Sequence, residues 1–131
     1  MAIMWFNSDT KLKNCVATIY DTNITLNKNA CSFLENAYKV MLGLDYDNKI
    51  LFIKPLNKDL ALKGTIPEAS QYNITIRSSY GRISNVEFVK EIKNLLKIDS
   101  LKTNPKKYNV EYDDTSNVIK IDLKKEVIWL W

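Results

Sequence analysis

Hydrophobic and polar positions fall into two stretches of similar order, separated by a polar segment. From Leu12 to Tyr20 the residues Cys15, Val16, Ile19 and Tyr20 predict a strand, because β-branched and aromatic side chains fit a pleated surface. Asp21-Thr22-Asn23 predicts a turn and Ile24-Thr25-Leu26 a short extended run. Asn27 is a good N-cap, and Ala30, Phe33, Leu34 and Ala37 follow at helical spacing, so an amphipathic helix of two to three turns is expected over about 28–37. A hairpin follows, Tyr38 to Leu44 returning as Ile50 to Ile53, with Asp45-Tyr46-Asp47-Asn48-Lys49 as its connection. Pro55 has no backbone N–H and is expected to close the second strand. From Leu56 to Ala69 the pattern breaks at Lys58, Asp59, Gly64, Pro67 and Glu68, which predicts a polar connection between two halves.

In the second half, Tyr72 to Ser78 alternates Ile74 and Ile76 with polar residues, the period of a half-buried strand. Gly81 is expected at the turn. Ser84 with Glu87 predicts a capping box, ahead of a helix with Val89, Ile92, Leu95 and Leu96 on one stripe and Phe88 beside it, running to about Ile98. Pro105 falls in the next loop. A second hairpin then runs from Tyr108 to Tyr112, across Asp113-Asp114-Thr115-Ser116-Asn117, and back through Val118 to Leu123.

A shift of 59 places sets Ile24 on Ile83, Thr25 on Ser84, and Ala30, Phe33 and Ala37 on Val89, Ile92 and Leu96. After a longer loop, Tyr38-Lys39-Val40 reappears as Tyr108-Asn109-Val110, and Ile53 as Ile121. Two copies are too few for a solenoid, so interlocked half-units are expected. The expected fold is α+β, a single domain over 1–131. Pseudo-repeat one (about 12–56) and pseudo-repeat two (about 72–123), joined by the connector 57–71, would form one mostly β, barrel-like core with two short helices.

Composition agrees with one folded unit: 131 residues, 46% hydrophobic and 26% charged. The longest apolar runs, such as Ile50-Leu51-Phe52-Ile53, fall far short of the roughly 20 residues of a membrane helix, so no membrane partner is expected. Met1-Ala2-Ile3-Met4-Trp5-Phe6 has no basic segment before it and does not read as a signal peptide, which makes a cytoplasmic location the default. Cys15 and Cys31 have neither the number nor the spacing of a disulfide framework or zinc site, and are expected as small buried apolar residues. The chain has no histidine. Its net charge of +4 comes almost wholly from lysine, and that mild basicity permits an anionic partner.

The only arginines, Arg77 and Arg82, flank Tyr80. An arginine there can contact phosphates or present its fork to guanine in a major groove, or it can pair with a carboxylate such as Glu87. Lys11, Lys13, Lys28, Lys39, Lys90, Lys93, Lys97, Lys106 and Lys107 either extend a phosphate-binding surface or form a solvated face. The acidic turns at Asp45, Asp47 and at Asp113, Asp114 lack the glycine and final glutamate of an EF-hand loop, so no metal site is expected. No glycine-rich phosphate loop, nucleophile elbow or nucleophile–base pair is present, so neither catalysis nor a cofactor is expected. At the two ends, Trp5-Phe6 and the run Val127 to Trp131, with Trp129 and Trp131, either form an apolar partner surface or pack as a final strand.

The second copy resembles the AbrB-type swapped-hairpin fold of bacterial transition-state regulators, MazE-like antitoxins and two-repeat MraZ proteins. The resemblance rests on a strand, Gly81-Arg82-Ile83, a short helix ending in Leu96-Lys97-Ile98, and the hairpin Tyr108 to Asp113 returning through Val118-Ile119-Lys120-Ile121. It implies a small bacterial DNA-binding transcriptional regulator, with Arg82 after the glycine, Lys90 on the helix and Arg77 on the preceding strand contacting double-stranded DNA. The family's helix-opening proline is absent, with Asn85-Val86 in its region, and the first copy has Asn23 in place of Arg82. The alternative expectation is a non-enzymatic interaction module of phage or mobile-element origin. It would use Trp5, Phe6, Trp129 and Trp131 to bind a protein partner or to self-associate.

Overall fold

The computed structural model describes residues 15–102 and 104–127 of the chain. The alternating first stretch becomes a hairpin of β1 (Val16–Ile19) and β2 (Asn23–Asn27), closed by a 2.9 Å bond from Tyr20 N to Asn23 O. Ala17, Ile19, Ile24 and Leu26 point into the core, while Thr18 and Thr25 face the other way. The start of the expected strand, 12–14, lies outside the described residues. Asn27 then caps α1 (Lys28–Cys31), its Oδ1 accepting from Ala30 N at 3.0 Å. The expected helix over 28–37 is cut short, because Ser32 Oγ bonds back to Asn29 O at 2.6 Å and the chain tightens into a 3₁₀ turn, Ser32–Leu34.

β3 (Lys39–Asp45) and β4 (Ile50–Leu56) form the expected hairpin. Pro55 does not close β4, contrary to expectation. Val40, opposite Pro55, gives its N–H and C=O to Tyr72 (2.9 and 2.8 Å), so the Val40–Pro55 pair exchanges no ladder bonds. The donor that proline lacks would face β9, whose pairing with β4 has already ended at Ile53–Ile119. The expected polar connection contains a further helix, α2 (Lys58–Leu62), capped by Asn57 at 2.8 Å from Leu60 N, and a 3₁₀ turn, Glu68–Ser70.

The expected strand over 72–78 shrinks to β5 (Thr75–Ile76), because Tyr72 is held by Val40 of the other sheet. Gly81 is not at the turn: it lies within β6 (Tyr80–Ser84), and the turn is closed by Arg77 N donating to Tyr80 O at 2.8 Å. Glycine is required there by close approach, since a Cβ would stand 2.8 Å from Cys31 Sγ. The cap of α3 (Val86–Leu96) is Asn85, whose Oδ1 accepts from Phe88 N at 3.0 Å, and Ser84 remains in the strand. The helix ends at left-handed Lys97 (φ 57°, ψ 47°), where Lys97 N bonds Asn94 O and Ile98 N bonds Lys93 O.

The expected strand from Tyr108 to Tyr112 is divided. β7 (Lys106–Asn109) pairs with β1, whereas β8 (Glu111–Asp113) pairs with β9 (Val118–Asp122). Buried Val110 is the corner between them, its N–H bonded to Cys15 O at 2.9 Å.

The fold is therefore α+β and mostly β, with two antiparallel sheets ordered β5-β6-β2-β1-β7 and β3-β4-β9-β8. Instead of a barrel-like core with two helices there are two sheets, no closed barrel, and three short helices among the described residues. The chain changes sheets at Val110 and the Val40–Tyr72 bridge ties the second sheet to the segment before β5, but no ladder continues across either place. The inner faces meet through Ile19, Ile24, Leu26 and Ile83 from one sheet and Val40, Leu51, Ile53, Ile119 and Ile121 from the other. Val89 and Ile92 of α3 and Ala30 of α1 join the same core. Each fully buried Ile or Leu contributes about 1.5–3 kcal/mol, against roughly 0–1 for an exposed ion pair, so this core and not the surface charges holds the sheets together.

Candidate nucleic-acid interface

Side chains alternate across a strand, so burying one face of the first sheet exposes the other. Antiparallel registry aligns Thr75, Arg82, Thr25, Thr18 and Lys107 in one row across all five strands of that outward face. Tyr80 stands opposite Asn27, and Asn109 opposite Val16, in the adjacent row. None of the five strands contains an Asp or Glu, whereas the second sheet carries Asp45, Glu111, Asp113 and Asp122. The carboxylate nearest in registry is Glu126, which bridges to Tyr108 beyond β7 and holds Lys106 at 2.8 Å. The outward face of the first sheet thus offers hydroxyls, amides, one aromatic ring and two cations, with Arg82 and Lys107 exposed, Thr18 and Thr25 half-buried and the apolar Val16 buried.

Arg82 is exposed on this face, its guanidinium carbon 5.0 Å from the centroid of the Tyr80 ring. Among the described residues it forms no ion pair, and Glu87 lies instead 3.9 Å from Lys90. That Lys90 contact is largely exposed on α3 and adds little stability. Arg77 is exposed at the turn before β6, close to Lys28 and Glu35 around a depression under α1. Arg77 and Lys90 therefore lie beyond opposite ends of β6, a strand about 17 Å long. Strand pairing sets Arg82 in one row with Lys107, whereas Lys90 lies on α3.

Of the other lysines named from the sequence, Lys11 and Lys13 lie outside the described residues, and three are engaged elsewhere. Lys93 Nζ lies 3.2 Å from Asp21, Lys39 bonds Asn73, and Lys106 holds Glu126. Asp21 also accepts from Leu101 N at 2.6 Å and Ser100 Oγ at 3.1 Å, and the Leu101 bond above all keeps its carboxyl below the usual carboxylate range. The acidic hairpin turns serve themselves: Asp45 Oδ1 accepts from Asp47 N and Asn48 N (both 3.1 Å), and Asp113 Oδ1 from Thr115 N (3.0 Å) and Ser116 N (3.3 Å). Hydrogen bonds from Asn48 and Ser116 respectively lower the two carboxyls. Among the described residues no group of three or more His, Cys, Asp or Glu could hold a metal ion.

Cys15 and Cys31 are buried thiols, both pushed up by burial and Cys31 further by Glu35. Among the described residues no helix is long and apolar enough to cross a membrane. Trp5, Phe6, Trp129 and Trp131 lie outside the described residues.

The sequence singled out Arg82 but gave Lys107 no special place among the lysines. The partnership of the two arises only through the β6-β2-β1-β7 pairing. A usable signal was present in the threonines and asparagines of β1 and β2 and the absence of acid from the alternating runs. Comparison of the chain with family models, with curated proteins and with solved structures found no match.

Proposed function

We propose that the protein is a small nucleic-acid-binding regulator that engages the phosphate backbone through the outward face of its first sheet, centred on Arg82. The observation that carries this reading is an exposed arginine in a five-strand row that ends in Lys107, on strands without a carboxylate. Exposed cations without nearby acids gain from releasing the counterions of a polyanion, and the intervening threonines and asparagines can bond to bases or sugars. The resemblance to AbrB-type DNA-binding regulators supports the same reading from the residues around Gly81-Arg82-Ile83.

The pseudo-repeat supports a shared ancestry with two-repeat members of that group. Ile24 and Ile83, superposed by the 59-residue shift, are cross-strand partners at the join of the two halves. The hairpin turns match at a shift of 68, Asp45 with Asp113 and left-handed Lys49 (φ 56°) with left-handed Asn117 (φ 52°). Asn27 and Asn85 cap the helices that leave the paired strands.

A mobility-shift titration with a nucleic-acid pool at low salt tests the reading. Binding should weaken steeply with salt. Arg82→Ala should lower affinity by about tenfold and the log–log salt slope by about one, while Lys54→Glu on the second sheet changes affinity far less. Absence of binding to both duplex and single-stranded probes would overturn it.

A further inference from the structure

Resting on the reading that this face binds nucleic acid, we propose that its ligand is a single strand. The strand lies across the β-strands, with one nucleotide seated in the depression that Lys107 lines and with Arg82 next to it, opposite Thr25. The depression is open to solvent, has a volume of about 360 Å³ and is lined by Thr18, Thr25, Asn27, Tyr80 and Lys107 together with the apolar Val16. Its chemistry matches the parts of an unpaired nucleotide. The Thr18 hydroxyl, and the Thr25 oxygen as acceptor since its proton goes to Asn23 Oδ1 at 2.7 Å, meet base edges, the Tyr80 ring with its attendant Arg82 guanidinium gives a flat stacking surface, and the two cations take phosphates on either side. A duplex hides its bases from such a surface.

Shape points the same way. Five strands at about 4.8 Å spacing make a face about 19 Å wide, whereas the major groove is about 12 Å wide and admits a helix or a two-stranded ribbon. The elements that could enter a groove are poorly suited to it. α1 is four residues long, and α3 presents Glu87 and Glu91 beside Lys90 on its solvent side. Arg82 and Lys107 stand three strand spacings apart, about 14 Å, with only uncharged hydrogen-bonding residues between them in the row.

The test is fluorescence anisotropy with a labelled twelve-nucleotide single strand and a duplex of the same sequence, at low salt, on the full chain. The single strand should bind at least tenfold more tightly than the duplex. Tyr80→Leu should weaken single-strand binding about five- to hundredfold and leave duplex binding nearly unchanged, the loss expected of one stacked base. Thr25→Glu, which places a carboxylate in the depression without touching the ring, should abolish single-strand binding while retaining the wild-type melting transition. Equal or tighter duplex binding that still depends on Arg82 would overturn the single-strand proposal and leave the nucleic-acid reading standing. Single-strand binding indifferent to both Tyr80→Leu and Thr25→Glu would overturn the proposal too. Binding to neither probe would overturn both.

Discussion

Gly81 lies so close to Cys31 that a Cβ on the glycine would stand 2.8 Å from the cysteine Sγ. The contact joins β6 to α1, and so links the strand that carries Arg82 to the helix that leaves β2. The other neighbours, Cys31 Cβ at 3.7 Å and Thr75 O at 3.8 Å, are at ordinary distances, so the sulfur alone makes the site too small.

Gly81→Ala should therefore destabilise the protein by about 1–3 kcal/mol, although alanine in an open strand position would gain about 0.5–1 over glycine. Replacing Cys31 with Ala removes the obstructing atom. The double variant Gly81→Ala/Cys31→Ala should be more stable than the sum of the single losses by about 1 kcal/mol or more. Urea unfolding of the four proteins measures this coupling. Strict additivity would show that the glycine serves something other than the sulfur.

Asp21 gathers the loop after α3 onto the β1–β2 turn through Leu101 N, Lys93 and Ser100. Because these bonds lower its carboxyl pKa in the folded chain, the ionised form is favoured by folding. The stability it adds is fully present above the unfolded carboxyl value of about 3.9 and is lost as pH falls through the lower folded value. Asp45, Asp113 and Asp122 are shifted in the same direction, so acid should weaken the whole fold. Urea midpoints between pH 7 and pH 2 should fall for the wild type. The gap between wild type and Asp21→Asn should narrow as the pH drops, and a gap that stays constant would mean the charge of Asp21 is immaterial.

Much of the fold was legible because long periodic segments carry their own evidence. Val89, Ile92 and Leu96 announced α3, and the Asp-initiated turns announced both hairpins. Gly81 misled because a glycine needed for close approach looks the same in sequence as one needed for a turn. Tyr108 to Tyr112 read as one strand because its alternation is unbroken. The change of sheet at Val110 depends on Cys15 O, a partner far away in sequence. α2 was too short to show a period, and Pro55 was tolerated because the donor it lacks would face β9 beyond the end of their pairing at Ile53–Ile119. The site was half legible: Arg82 stood out as one of two arginines, whereas Lys107 and the threonines joined it only through strand pairing.

Tyr108 is the largest fully buried side chain among the described residues and lies in the β7 edge of the first sheet, bridged to Glu126. Burial, with the Glu126 charge as a second cause, pushes its phenol up to about 12 from the usual 10. Folding therefore favours the neutral phenol. Its contribution is intact below the unfolded pKa of about 10 and is lost as pH rises toward 12, because the unfolded chain releases a proton that the folded chain keeps. The protein should accordingly lose stability steeply between pH 10 and pH 12, as read by unfolding midpoints. Tyr108→Phe should remove about one proton from that dependence, flattening the alkaline limb. An unchanged alkaline limb in Tyr108→Phe would show that the phenol ionises freely in the folded chain and that other groups drive the alkaline loss.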